Sequence, residues 1–298
     1  YNMTVSGANE RINYYASAGY LNDGGQVDNS SYQRYTARTN IDYRAKDWLR
    51  LTTNMGFTHS DSETASWDED NLNYGSSGNV FYITNNIAPI YPLYVRNADG
   101  TVRTENGRVI YDSNQTTYKR PNFVGNAVRD NQYNSKHAYS DIFNGKWMAT
   151  VTPLEGLDLS AALSVTSYNQ RYNALYSTFA SGSSVDGQVY LRNRRYMTVN
   201  QQYLANFNRT FADVHTVGVL FGYEQFKYKR QYLSGSNDHL YAPTIGELDN
   251  AHGSSQKSLG SNTDNYMTEG FLGRVQYNYD EKYFASASFR RDASSVFA

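Results

Sequence analysis

The chain has 298 residues, a formal net charge of -1, 18% charged residues and no cysteine. The near-neutral charge removes the electrostatic case for nucleic acid, and the missing cysteine removes disulfides and thiolate metal sites. No apolar run is long enough for a transmembrane helix, and the length allows one large β-domain or two ordinary ones. Tyrosine is the outlier with 29 copies, Asn and Ser are abundant, and the 5 prolines are few. No signal peptide is expected within these residues, since Tyr1 already sits inside a β-pattern. Two classes remain: a soluble, Tyr-rich β-protein, or an outer-membrane barrel, in which only every second residue meets lipid.

In chain order, Tyr1, Met3 and Val5 alternate with Asn2, Thr4 and Ser6, and a short turn follows at 7–11. Ile12, Tyr14, Ala16, Ala18 and Tyr20 then share one face of a strand over 12–22, since period two is the β signature. A polar loop at 23–31 leads to a strand ending near Arg44, whose Tyr35, Ala37, Thr39, Ile41 and Tyr43 oppose Arg34, Arg38 and Asp42. After a tight turn at 45–47, Leu49, Leu51, Thr53, Met55 and Phe57 define a fourth strand over 48–60. A long polar segment fills 61–134. Strands are predicted at 135–152 and 157–171 around a turn at 153–156. A Gly/Ser-rich loop at 177–193 precedes a weaker strand at 194–210, a turn at 211–213 and a strand at 214–229. A polar segment over 234–263 leads to strands at 264–279 and 283–291, joined at 280–282.

The connections alternate between very short and long. An up-and-down barrel with periplasmic turns and extracellular loops has this rhythm, whereas Greek-key crossings scatter loop lengths. Each apolar face starts at a short turn and stops after about nine residues, enough to cross a bilayer as a tilted strand. Leu157, Leu159, Ala161, Leu163 and Val165 give way to Ser167, Asn169 and Arg171; Val217, Val219, Phe221 and Tyr223 give way to Gln225, Lys227 and Lys229. Aromatics mark both band edges: Tyr43, Tyr277, Tyr279 and Tyr283 near the short turns, Tyr20, Phe57 and Tyr223 at the other, as an interfacial girdle requires. The opposite face carries Arg34, Arg38, Asp42, Arg50, Lys146, Asp158, Glu224 and Arg274. Such charges are costly in a dry core and suit a wide lumen. The expected fold is all-β: an antiparallel transmembrane barrel, ten strands of which lie here, within the 22-stranded plugged class.

Residues 5–7, 13–20 (NYYASAGY) and 34–40 (RYTARTN) resemble the barrel of SusC/RagA-type TonB-dependent outer-membrane transporters of Bacteroidetes. That family shows S-G-G/A, a short turn, N-Y-Y-x-S-x-G-Y, then R-Y-x-x-R-x-N. Residues 88–100 (APIYPLYVRNADG) and 283–297 (YFASASFRRDASSVF) extend the likeness, with Ala293 where the family has Gly and Val296 where it has Arg. The resemblance implies a bacterial outer-membrane location and active import of oligosaccharides or oligopeptides. Its partners would be a SusD-like surface lipoprotein as lid, TonB, ExbB and ExbD for energy, and membrane lipid around the barrel. It also places residues 1–298 within one barrel domain, with the plug outside them and the segments 61–134, 177–193 and 234–263 as extracellular loops.

No catalytic reading survives. His59, His137, His215, His239 and His252 lack metal-ligand spacing, no G-x-S-x-G elbow occurs, and no carboxylate pair stands out. Asp68, Glu69, Asp70 and Asn71 offer a possible calcium site, but without the EF-hand glycine and terminal Glu a solvated acidic loop is the better reading and no cofactor is expected. Trp67, Tyr74, Tyr82 and Tyr91 in the same loop beside Asn and Asp suit stacking on sugar rings, against the plainer reading that they pack the loop. The turn Asn97-Ala98-Asp99-Gly100 predicts a small hairpin. Three functions follow: TonB-dependent importer, passive porin or adhesin barrel, and soluble carbohydrate-binding protein.

Overall fold

The computed structural model describes residues 1–64, 87–113, 126–180, 186–253 and 258–297, together with Asn85. One antiparallel sheet holds β1 (Asn2–Ala8), β2 (Ile12–Gly24), β3 (Ser31–Lys46) and β4 (Leu49–Thr64). It continues through β7 (Ser135–Leu154), β8 (Leu157–Tyr176), β9 (Gln188–Phe211), β10 (His215–Asp238), β11 (Ser258–Tyr279) and β12 (Tyr283–Ser294). Between β4 and β7 lie the two-stranded β5 (Thr104–Glu105) and β6 (Arg108–Val109), and the helix α1 (Ala127–Tyr133). Strand order in the ten-stranded sheet follows chain order, with β4 pairing β7 across the long insertion. β1 and β12 are its two edges, so the barrel is open among the described residues.

The expected meander of ten strands is present, but the strands are longer than their alternation indicated. β4, β8 and β10 run on to Thr64, Tyr176 and Asp238, while β9 and β11 begin at Gln188 and Ser258. Most of the added length is on the long-loop side; β1, β3, β7 and β9 also run one or two residues into the short turns, to Ala8, Lys46, Leu154 and Phe211. Alternation reports a difference between two faces, and here both faces are polar; pairing continues all the same, as Ser236↔Tyr190 and Ser236↔Ser258 show. A 24-residue strand such as β10 rises about 80 Å at about 3.3 Å per residue. At a tilt near 40° that is about 60 Å of height against an apolar band about 25 Å tall. More than half of each long strand therefore stands above the band.

Ladder partners share a face, so the registers trace the band across the sheet. One row runs Leu49–Val151–Leu159–Ala205–Phe221 and another Leu157–Phe207–Val219–Val275–Ala287. The row Val5–Ala16–Thr39–Met55 enters Val165 and Val199 but meets Lys227 on β10. A horizontal band crosses register rows this way when the strands are tilted, as closure into a barrel demands. On β10 the outward Val219, Phe221, Lys227, Lys229, Gln231 and Leu233 are exposed, while Leu220, Gly222, Glu224, Phe226, Tyr228, Arg230 and Tyr232 are half-buried or buried. The polar face is thus the crowded, concave one. Both girdles are in place. His215 lies 2.7 Å from the Tyr277 hydroxyl, stacks on that ring and meets Tyr279 at a tilt, and Tyr279 meets Tyr283. At the other edge Tyr20 meets Tyr35, and Tyr223 lies between Tyr203 and Phe271.

The short turns impose the right-handed strand twist. Ala212 and Asp213 have φ of 48° and 58°, and Asp280 and Glu281 have 47° and 54°. Two successive left-handed residues make the turn that suits a hairpin, though Ala212 bears a Cβ penalty of about 1–2 kcal/mol there. Ala212→Gly relieves that strain against about 0.5–1 kcal/mol of added unfolded-chain freedom. Net stabilisation of up to about 1.5 kcal/mol is expected in urea titration of the full-length barrel in phospholipid vesicles. In the same assay Leu163→Arg, inside the band, costs about 2–4 kcal/mol, and Gln231→Arg, on the overhang, about 0–1.

Candidate functional site

The overhanging concave wall of β8–β11 is built from rings and guanidinium groups. Three direct cross-strand pairs set its pattern: Tyr172↔Arg192, Arg194↔Tyr232 and Tyr196↔Arg230. In each, the guanidinium carbon lies over its partner ring, at 4.8, 5.8 and 5.8 Å from the centroid. Period-two geometry causes this, because Tyr190, Arg192, Arg194 and Tyr196 all fall on one side of β9. Further ring pairs tie the wall together: Tyr168 with Tyr196 at 5.5 Å, Tyr172 with Tyr190 at 6.1 Å, and Tyr228 with Tyr266 at 5.1 Å. Tyr190 and Tyr232 hydroxyls are 3.3 Å apart. Asp264 stands 3.8 Å from Arg230, whereas the buried Nε atoms of Arg194 and Arg230 have no hydrogen-bond acceptor among the described residues.

Lower on the same face several charges are paired. Arg50 forms a two-pronged pair with Asp42, Arg290 pairs with Asp292 at 2.9 Å and approaches Glu224 at 3.9 Å, and Asn200 donates to Glu224.

The loops above the wall hold one another. Asn126 caps α1, its side-chain oxygen accepting from the N–H groups of Val128 and Arg129. Its amide donates to the carbonyls of Leu93 and Asp112 at 3.0 and 2.9 Å, joining the helix to the hairpin region. The predicted hairpin is there: Arg96 bridges Val102, and Gly100 closes the turn on Asn97 with φ of 85°. A second hairpin, β5–β6, turns on Asn106-Gly107 (φ 50° and 78°); that Asn-Gly pair is the short-range signal from which it was legible. Asp99 accepts from the Thr101 hydroxyl at 2.6 Å and from its N–H at 3.0 Å, which together hold the carboxyl below the usual range. That stabilisation is complete above the ordinary carboxylate pKa and is lost as pH falls through the lowered folded value. Burial, then Tyr94 and Tyr133, push the Tyr111 phenol up, and its hydroxyl donates to Gln132.

This unit is tied to two other loops. Asn29 donates to the Asn131 carbonyl at 2.8 Å and Asn131 to the Asp28 carbonyl at 2.5 Å. The Ser177 N–H donates to Asn134, Tyr133 packs on Phe179, and Arg108 lies 3.8 Å over that ring. On the far side Asn173 donates to the Gly246 carbonyl at 2.6 Å and Arg171 pairs with Glu247 at 2.8 Å.

Of the residues singled out by sequence, Tyr91 is half-buried with its N–H donating to the Ala88 carbonyl. Trp67, Tyr74 and Tyr82, and the acidic Asp68, Glu69, Asp70 and Asn71, lie outside the described residues. No group of three or more metal-binding side chains gathers among the described residues. His59 bonds Asp141 at 2.7 Å and His137 reaches Glu63 at 3.5 Å, both on the outward face above the band. The Tyr–Arg wall was not singled out, because the strands were read as ending at Arg171 and Lys229 and as beginning at Arg194, which left Tyr172, Tyr190, Arg192, Arg230 and Tyr232 outside them.

No family model matches the chain. It is similar to the TonB-dependent receptors P39 and P26 of Formosa agariphila, at 26% identity over 303 residues and 22% over 307. Each match covers 99% of this chain, and the chain spans 26% and 28% of those relatives. Its fold matches the RagAB peptide importer in the 'closed-closed' state with a TM-score of 0.75, at 21% identity, over 99% of this chain and 31% of that one. The 'open-open' state of the same importer gives 0.74 at 20% identity, over 99% and 31%.

Removing the Asn126 side-chain amide breaks the cap and both carbonyl bonds. Asn126→Ala is expected to raise amide hydrogen exchange across 87–113 and 126–134 by about fivefold, the equivalent of about 1 kcal/mol for a lost cap, and to leave β8–β10 protected.

Proposed function

We propose that this chain, part of an outer-membrane barrel of the SusC/RagA-type TonB-dependent transporters, serves the active import of oligosaccharides. The observation that carries the reading is the tall concave wall of β8–β11, polar, ring-lined and roofed by interlocked loops. A passive pore has no use for half of its strand length above the membrane, whereas a carrier that accepts cargo from a surface partner needs a deep antechamber. The face that sequence reading gave to lipid carries Phe221, Phe271 and Val275 exposed at 56%, 44% and 50%, which favours a membrane over a second sheet as its neighbour.

The rest of the machinery is proposed with it. Edges β1 and β12 expose unpaired ladders, so further strands of the same barrel are assigned to them, with a plug in the lumen. A SusD-like lipoprotein lids the extracellular mouth, and TonB with ExbB and ExbD supplies energy. Segments 61–134, 177–193 and 234–263 are assigned to the outside, and Trp67, Tyr74, Tyr82 and Tyr91 to the first contact with cargo. Oligopeptide cargo is the second reading, favoured by the fold likeness to a peptide importer.

Uptake by cells carrying the full-length protein tests the proposal. Accumulation of a labelled oligosaccharide is expected to collapse with an uncoupler and with loss of TonB. Uptake indifferent to both, with steady single-channel conductance in planar bilayers, would identify a porin instead.

A further inference from the structure

We propose that the outward face of β8–β11, where the apolar band gives way to polar strand, seats a phosphorylated glycolipid of the surrounding leaflet. Arg195, Lys227 and Lys229 hold its phosphate. The groove below them takes an acyl chain, and the groove above them takes sugar hydroxyls. This seat requires only the barrel's place in the outer membrane, whatever the barrel imports.

The charges on this face are one-sided. On β10, Lys227 and Lys229 follow the girdle ring Tyr223 along the outward side, and both are exposed. Exposed Arg195 on β9 pairs with Gln231 in the ladder, which makes Lys229 its diagonal neighbour. None of the three cations joins an ion pair among the described residues. The outward positions of β8, β9 and β10 carry no Asp or Glu. Arg171, also outward on β8, is already held by Glu247 at 2.8 Å. Glu269, outward on β11, lies 3.2 Å from the Tyr223 hydroxyl. On β4 and β7 the same side is acidic instead, with Asp61, Glu63 and Asp141 beside His59 and His137. The cationic patch is therefore local and not a belt around the barrel.

Two grooves flank it. The lower, of about 550 Å³, is lined on its outward side by Met197, Val199 and Met267 with Lys227, Lys229 and Asn265. Val199, Lys227 and Met267 share one register row with Val165 of the apolar band, so the apolar floor continues the lipid-facing surface. Lysine stems cover such a floor while their ammonium groups stay at its wet rim. The upper groove, of about 570 Å³, sets Arg195 among the neutral Asn169, Asn193, Gln231, Ser261 and Thr263 on its outward side.

Apolar, cationic and neutral polar surfaces thus succeed one another along the same strands. A phosphorylated glycolipid presents the complement, with acyl chains at one end and phosphate with sugar hydroxyls at the other. Lysine and arginine hold phosphate through charge-assisted bonds, and clustered cations beside a bilayer recognise anionic head groups. An acidic protein would match the charge but not a floor that runs into the lipid-facing band.

The test uses the purified full-length barrel in neutral detergent and native mass spectrometry. The probes, at equal concentration, are diphosphoryl lipid A, the same lipid with its phosphates removed, and inorganic phosphate. Occupancy by diphosphoryl lipid A is expected to exceed that by the dephosphorylated form at least about tenfold and to fall as salt rises. Arg195→Gln/Lys227→Gln/Lys229→Gln removes the preference, and Arg195→Lys/Lys227→Arg/Lys229→Arg keeps it. Arg171→Gln, at an outward cation already paired, leaves it unchanged. The salt dependence of the unaltered protein needs no variant to fold. Equal occupancy by the two lipids, equal loss in Arg171→Gln, or displacement of the lipid by inorganic phosphate at the same concentration overturns the proposal. So does a triple Gln variant that keeps its lipid and loses an acidic surface protein, which would make the patch a protein-docking face. Occupancy is read without energy or cargo, so its result stands apart from that of the uptake experiment.

Discussion

The structure depends on one constraint: in hydrocarbon, no backbone N–H or C=O can be left without a partner. Only a helix or a sheet closed on itself meets it, and the described residues contain no helix long and apolar enough to cross a membrane. Ten strands in continuous antiparallel register meet it between the edges. The remaining features follow. Pairing forces period two, so a single strand serves lipid with one face and water with the other. Tilt makes the apolar band slide across register rows, which is why Val5 and Lys227 stand in one row without conflict.

Within the band the fold was legible because its two faces differ. Leu157, Leu159, Ala161, Leu163 and Val165 against Asp158, Ser160 and Ser164 leave no second interpretation. Above it the difference fades, and with it the signal. Ser258–Tyr279 begins in a polar run and Gln188–Phe211 in a mixed one, and their strand state is imposed by neighbours already paired, a tertiary effect that local pattern cannot report. The registers also place Ser236 between Tyr190 and Ser258, a pairing across long loops that no local pattern specifies.

The site was hidden for the same reason. Tyr190, Arg192, Arg194 and Tyr196 alternate with Leu191, Asn193 and Arg195, and the pattern reads as a strand once the outward face is allowed to be polar. What no linear reading supplies is the partner: that Arg194 stacks on Tyr232 and Arg230 on Tyr196 follows from the β9–β10 register alone. The loop assembly is likewise a matter of long-range bonds, Asn29 with Asn131 and Asn134 with Ser177, made by side chains ordinary for any loop.

The height of the strands sets the range over which the wall acts. A cationic patch within the bilayer would project through a medium of low dielectric, and its field would extend far. This patch sits in the overhang, bathed by electrolyte, where attraction decays over a Debye length of about 8 Å at physiological ionic strength. The surface is therefore near-sighted: it cannot gather solute from the surroundings and responds only to what has already been placed against it. Its field is thereby confined to the concavity that carries it.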